Sequence, residues 1–204
     1  MSIRHPKQTR PPPMDKREQL VTAAFELFYR HGVHAVGINR VLAESGVAKK
    51  TLYNHFPGKD DLVAATVDYC DRRYFSWLNA RIEGAADGEA TLNAIFDALD
   101  DLFKGRDPSV QAFYGCYFIN VSAEFSSPDH PVHQLCARNK TAMLDLIRLH
   151  VGKMFGSDPA VLEVADTIAM LIEGAIVRAH VASDLDAASK ARAAAQRLIS
   201  TQHH

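Results

Sequence analysis

The sequence predicts an all-α fold of about nine helices, a small N-terminal unit of three helices ahead of a larger helical body. Three observations predict it. Apolar residues recur at steps of three and four along most of the 204 residues, and no stretch sustains a period of two. Glycine and proline clusters cut that pattern into helix-sized pieces. Charge divides the chain in the same place: ten Lys/Arg face five Asp/Glu through residue 60, and thirteen face nineteen beyond it. The expected organisation is a basic arm over residues 1–13, a head over 14–58 and a body over 59–204.

The first helix is expected over residues 14–31, with Leu20, Ala24, Leu27 and Phe28 as its buried stripe and Gly32 as its stop. Ile38, Val41 and Leu42 give the second helix an apolar face, and Gly46 permits the left-handed turn that ends it. Val47, Leu52 and Phe56 do the same for the third. Phe56, Pro57 and Gly58 break the chain before a long fourth helix, 59–82. After a linker at 84–88, the fifth helix covers 89–104 with Leu92, Ile95, Phe96, Leu99 and Phe103 inward. The sixth is expected over 109–125 and the seventh from the 126–131 loop to about 155. Ser157 or Asp158 is placed to cap the eighth, with Pro159 in its first turn. Asp186 is placed to cap an alanine-rich ninth helix ending near 200.

The chemistry is concentrated in the third helix. Once Leu52 and Phe56 are set inward, Lys49, Lys50, Thr51, Tyr53, Asn54 and His55 point outward. Cations, hydroxyls, an amide and an imidazole on about two turns suit a surface that meets phosphates and base edges. A helix-turn-helix presents its second helix to the major groove by its N-terminal end, where Lys49 and Lys50 stand. The plainer alternative is a polar helical hairpin. In the arm, Arg4, Lys7 and Arg10 are either solvated or ordered only on DNA.

Residues 16–65 resemble the DNA-binding end of the tetracycline-repressor (TetR) family of bacterial transcription regulators. The resemblance is carried by Leu20, Ala23, Ala24, Leu27, Phe28 and Gly32, then Val41, Gly46-Val47, Thr51-Leu52-Tyr53, His55-Phe56, Lys59 and Leu62. The rest of the chain matches the family only in length and helical organisation. The resemblance implies a homodimer on palindromic double-stranded operator DNA, usually a repressor, released by a small-molecule effector bound in the body. It also implies that Lys59 lies near the DNA backbone; a phosphate there would offset the unfavourable placement of a cation at a helix N-terminus. Two positions depart from the family pattern. Ala48 replaces a Ser or Thr cap, typically worth ~1 kcal/mol, and Gly37 stands where Thr is common, leaving backbone amides as the phosphate donors of helix two.

An effector cavity should be mostly apolar with a few convergent polar groups. Phe113, Tyr117, Asn120 and Glu124 follow helical steps along the expected sixth helix and form one candidate wall. Phe96, Phe103, Trp77 or Tyr74, Met143 and Ile147 are candidates for the others; ordinary core is the plainer reading of any one of them. Ile168, Leu171, Ile172, Ala175, Val177 and Ala179 cover more than one face of helix eight, and Ala191 and Ala195 permit close approach by helix nine. In the family these two helices of each chain form the dimer's four-helix bundle, so these residues are the candidate interface.

Cys70, Cys116 and Cys136 are too few and too irregular for a disulfide framework or a four-ligand zinc site, and they suit a reducing cytoplasm. Cys116 and Cys136 also suggest a second reading, a thiol-based sensor of oxidants or electrophiles. His130 and His133 beside Asp129 are a weak metal pattern, and neither a metal nor a cofactor is expected. Glu124, Glu173 and His180 are isolated, with no nucleophile–base spacing, so no enzyme is expected. No apolar run approaches the ~20 residues of a membrane span, and the N-terminal residues lack the apolar core of a secretory signal. A helical interaction module without specific DNA binding is the remaining alternative.

Overall fold

The computed structural model describes residues 14–110, 112–156 and 158–203, and the statements below concern these. The arm, Ser157 and His204 lie outside them. Nine α-helices follow one another: α1 (Lys16–His31), α2 (Ile38–Ser45), α3 (Lys49–His55), α4 (Lys59–Ile82), α5 (Gly88–Phe103), α6 (Tyr117–Glu124), α7 (Pro131–Phe155), α8 (Pro159–Ala182) and α9 (Ala187–Ser200). A short 3-10 turn, Thr201–His203, closes the described chain.

Local chemistry sets most of the boundaries. Gly46 ends α2 in the left-handed region, at φ 65°, with its N–H on the Leu42 carbonyl. Asp61 in the first turn of α4 accepts from the Gly58 N–H at 2.8 Å, and with Asp60 it supplies the negative charge that a helix N-terminus favours. Asp87 caps α5 by accepting from the Ala90 N–H at 2.8 Å, and Asp158 caps α8 by accepting from the Val161 N–H at 3.1 Å, with Pro159 in the first turn. Asp186, the expected cap of α9, is not one: its carboxylate is 3.0 Å from the Lys104 ammonium, and no side chain caps that helix.

Two apolar cores hold the molecule. The upper one is built from Leu20, Ala24, Leu27, Phe28, Val41, Val47, Leu52 and Phe56 of the head, with Leu62 and Val63 of α4. Tyr117, Phe118, Val121, Phe125, Val132 and Cys136 belong to the same cluster. The head therefore packs as one body with α4, α6 and the start of α7, rather than closing on itself before residue 59. The lower core joins the end of α4 to α5, α7, α8 and α9.

The sixth helix is half the expected length. It begins at Tyr117, because the preceding segment is held in an irregular path. The Tyr29 hydroxyl donates to the Gly115 carbonyl at 2.7 Å and accepts from the Tyr114 N–H at 3.0 Å, and Gly115 takes a φ of +87°. These bonds come from a helix 85 residues away in sequence, out of reach of local periodicity.

Most of the candidate interface residues face inward within their own subunit. Ile168, Ile172, Ala175, Ala179, Ala191 and Ala195 are buried among α5, α7, α8 and α9, and Leu171 packs partly against the same core. Helix α9 is tied to α5 by polar bonds as well, Arg192 to Asn93 at 3.0 Å and to Asp97 at 2.6 Å. Val177 alone of that set is exposed. It belongs to an outward stripe on α8, with Met170 and Val181, that leaves 66, 45 and 76 % of Met170, Val177 and Val181 accessible.

Candidate DNA-binding face and effector cleft

Helix α3 buries Leu52 completely and turns its other side outward. Lys49, Lys50, Tyr53, Asn54 and His55 are exposed, and Thr51 is half-buried. Ala48 stands at the N-cap with no side-chain bond, as its methyl requires. Gly37 does the same for α2, and neither α2 nor α3 carries an acid in its first turn. The positive ends of both helices are thus not offset from within, which is the arrangement that receives a phosphate. Lys59 is placed differently from its neighbours. Its ammonium donates to the Val33 carbonyl at 2.7 Å and lies 5.9 Å from the centre of the Phe28 ring, so it braces the turn after α1.

Beneath the head lies a cleft of about 1710 Å³. Of the sequence-derived candidates it is lined by Tyr74, Trp77, Phe113, Tyr117, Met143 and Ile147. Phe96 and Phe103 are core instead, and Phe103 meets Phe113 ring to ring at 5.0 Å. Asn120 turns away and donates to the Tyr114 carbonyl at 2.9 Å. Glu124 does not face the cleft either. At the end of α6 it accepts from the Val33 and His34 N–H groups, at 2.6 Å each, and lies 3.2 Å from the His34 ring nitrogen. The helical stepping that grouped it with Phe113 fails because Phe113 precedes the helix.

The cleft has walls that the sequence did not single out. Phe25 and Tyr29 of α1 line it, beside Tyr69 of α4. A usable signal was present: the apolar residues of α1 run 20, 21, 23, 24, 25, 27, 28 and 29, a wider arc than a single buried face needs. Polar groups converge on the same space. The Trp77 indole donates to Asp107 at 2.6 Å, and Ser109 donates to the other carboxylate oxygen from both its N–H and its hydroxyl. Burial alone would raise the Asp107 pKa, but these bonds and the Arg81 charge hold it below the usual carboxylate value. Burial pushes the phenols of Tyr29, Tyr74 and Tyr117 up, so they serve as neutral hydrogen-bonding groups. Lys140 reaches in from α7 and is held by both Glu173 oxygens at 2.9 Å. His130 and His133 are structural: His130 accepts from the Val132 N–H at 3.2 Å, and His133 bonds the Phe125 carbonyl at 2.8 Å. Among the described residues, no three metal-ligating side chains gather at one point.

Residues 20–66 match the sequence profile of the bacterial regulatory proteins of the tetR family. The chain belongs to the TetR family. An HTH-type transcriptional regulator, LmrA of Bacillus subtilis, is 24% identical over 164 residues, 80% of this chain and 85% of that protein. An uncharacterised HTH-type transcriptional regulator of Mycobacterium tuberculosis is 29% identical over 175 residues, 83% of this chain and 86% of the relative. The crystal structure of a TetR-family transcriptional regulator from Streptomyces coelicolor superposes with a TM-score of 0.82 at 28% identity, covering 93% of this chain and 96% of that one. The protein is accordingly an HTH-type transcriptional regulator of the TetR family. The family match covers the head, α1 to the first turns of α4, and the cleft lies mostly in the part it leaves unmatched.

Proposed function

We propose that this TetR-family regulator is a homodimeric repressor released from a palindromic operator by a small-molecule effector bound in the cleft. Lys49 and Lys50 contact phosphate or guanine, and Thr51 contacts a phosphate or a thymine methyl. Tyr53 and His55 contact phosphates, and Asn54 reaches a base edge. Lys59 acts through the Val33 turn it braces, with its remaining donors facing the backbone of the DNA. Residues 14–58 form the reading head and 59–204 the effector and dimer body, with the interface on the outward stripe of α8 rather than on the buried residues of α8 and α9. Two recognition helices then address half-sites ~34–36 Å apart or a multiple of that.

The observation that carries this reading is that Phe25 and Tyr29, both on the first helix of the head, stand in the cleft wall. A molecule in the cleft would touch the head itself. It shifts the dimer away from the operator-fitting state by as much as it prefers the other state. The reading assigns no catalytic step. Among the described residues no helix is long and apolar enough to cross a membrane, and the reading includes no membrane partner.

The test is a mobility-shift titration on duplex DNA from the chain's own upstream region. Affinity should fall steeply with salt, because phosphate contacts release counterions. Replacing both Lys49→Ala and Lys50→Ala should abolish the shift while leaving the circular dichroism of the folded dimer unchanged. Retained binding by that double variant would remove α3 as the reading helix. Indifference of the unsubstituted protein to every duplex offered would favour the interaction-module alternative.

A further inference from the structure

The cleft contains a thiol–ammonium–carboxylate cluster that reversible ligand binding does not need. Cys116 stands at the N-cap of α6 and in the cleft wall. Its sulfur lies 3.2 Å from the Lys140 ammonium, the same ammonium that Glu173 fixes at 2.9 Å. Burial would lower the Lys140 pKa, but the Cys116 and Glu173 groups beside it hold it above the ordinary lysine value. The charge therefore stays in place. A cation at hydrogen-bonding distance and a helix N-terminus are the surroundings of nucleophilic cysteines. Burial pushes Cys70 well up and Cys136 up to about 12. Among the described residues, only Cys116 has a cation bonded to its sulfur.

Position adds to this. Cys116 directly follows Gly115, whose carbonyl is held by Tyr29 of the head. It directly precedes α6, whose far end holds the Val33 and His34 N–H groups through Glu124. A Cβ on Gly115 would stand 2.9 Å from the His180 ring, so the bare glycine is what lets that ring approach here. A bulky group added to the sulfur would sit between two attachments of the head.

We propose that Cys116 is a covalent capture site for α,β-unsaturated carbonyl compounds entering the cleft, and that the adduct releases DNA. The inference rests on the regulator reading above and names the effector's chemistry. The Cys116 sulfur forms a bond to the β-carbon, and the carbon–carbon π pair moves onto the α-carbon and its carbonyl. The proton lost from sulfur ends on the α-carbon. Nothing leaves and no oxidant is consumed. Lys140 faces the sulfur, Glu173 positions Lys140, and the aromatic walls receive the planar body of the reagent.

The probe is cyclohexenone at neutral pH, with intact-protein and peptide mass spectrometry after brief exposure of the full chain. One adduct should form first on Cys116, ahead of Cys70 and Cys136, and Cys116→Ser should abolish that early adduct. Serine is a good helix cap, so that variant should still fold and bind DNA, now unaffected by the enone. Lys140→Met should slow alkylation at least ~10-fold, because the thiolate is the nucleophile. The paired variant Lys140→Met with Glu173→Gln should be as slow, without a stranded carboxylate. Early labelling of Cys70 or Cys136 instead, or an unchanged rate in both Lys140 variants, would overturn the capture site. A Cys116 adduct that still binds duplex DNA would overturn the release step while leaving the regulator reading intact. Failure of the unmodified protein to bind duplex DNA would instead strike the regulator reading, and the capture chemistry would be decided on the mass spectra alone.

Discussion

Single residues in this chain are held to their identity by contacts that sequence shows unevenly. Gly88 opens α5, and a methyl there would collide with the His150 carbonyl oxygen and stand 2.8 Å from the Met154 side chain. One of those neighbours is helix backbone and cannot step aside cheaply. Gly88→Ala should therefore destabilise the protein by about 1–3 kcal/mol, the usual cost of overpacking, read as a lower denaturation midpoint with an unchanged slope. Nothing in the linker composition at 84–88 announced this; the constraint comes from a helix some sixty positions onward. The exposed residues of α3 were legible for the opposite reason. Once Leu52 and Phe56 are inward, a seven-residue helix leaves little freedom to its remaining side chains. Lys59 was half legible: its place at the start of α4 followed from the chain break before it, but its bond to Val33 needed the fold.

At the scale of elements, α6 is the connector between cleft and head. It starts at the Cys116 cap, lines the cleft with Tyr117, and ends at Glu124, which accepts from two consecutive backbone N–H groups of the turn after α1. Bonds to a charged acceptor are worth roughly 1.5–3 kcal/mol each. Glu124→Gln keeps the shape but sets an amide N–H against one of those donors. It should lower stability by about 1–3 kcal/mol in chemical denaturation, and unchanged stability would show that the turn does not depend on this side chain. Helix existence was legible throughout, because glycine, proline and capping residues punctuate the chain. The start of α6 was not, because Tyr29 overrides local helical preference from a distance. The pattern of α8 and α9 showed that many of their faces are buried, but periodicity does not say against what. The structure assigns most of those residues to the subunit's own core.

For the whole molecule, the proposed dimer rests on the α8 stripe. Val177 and Val181 are 45 and 76 % exposed, so replacing both with Asp leaves the subunit core untouched. The double variant should sediment as a folded monomer and lose tight operator binding, because half-site contacts no longer add. A dimer that survived it would move the interface elsewhere. The basic head and acidic body were legible in charge alone, whereas their shared core was not. Tyr117, Phe118, Val121, Phe125 and Val132 fill the underside of the head from beyond residue 100. This has a practical consequence for engineering chimaeras. A head cut at residue 58 and grafted onto a relative's body would meet side chains shaped for a different underside. Transplanting operator choice between relatives should therefore exchange the exposed positions of α3 one at a time, and leave the supporting scaffold native.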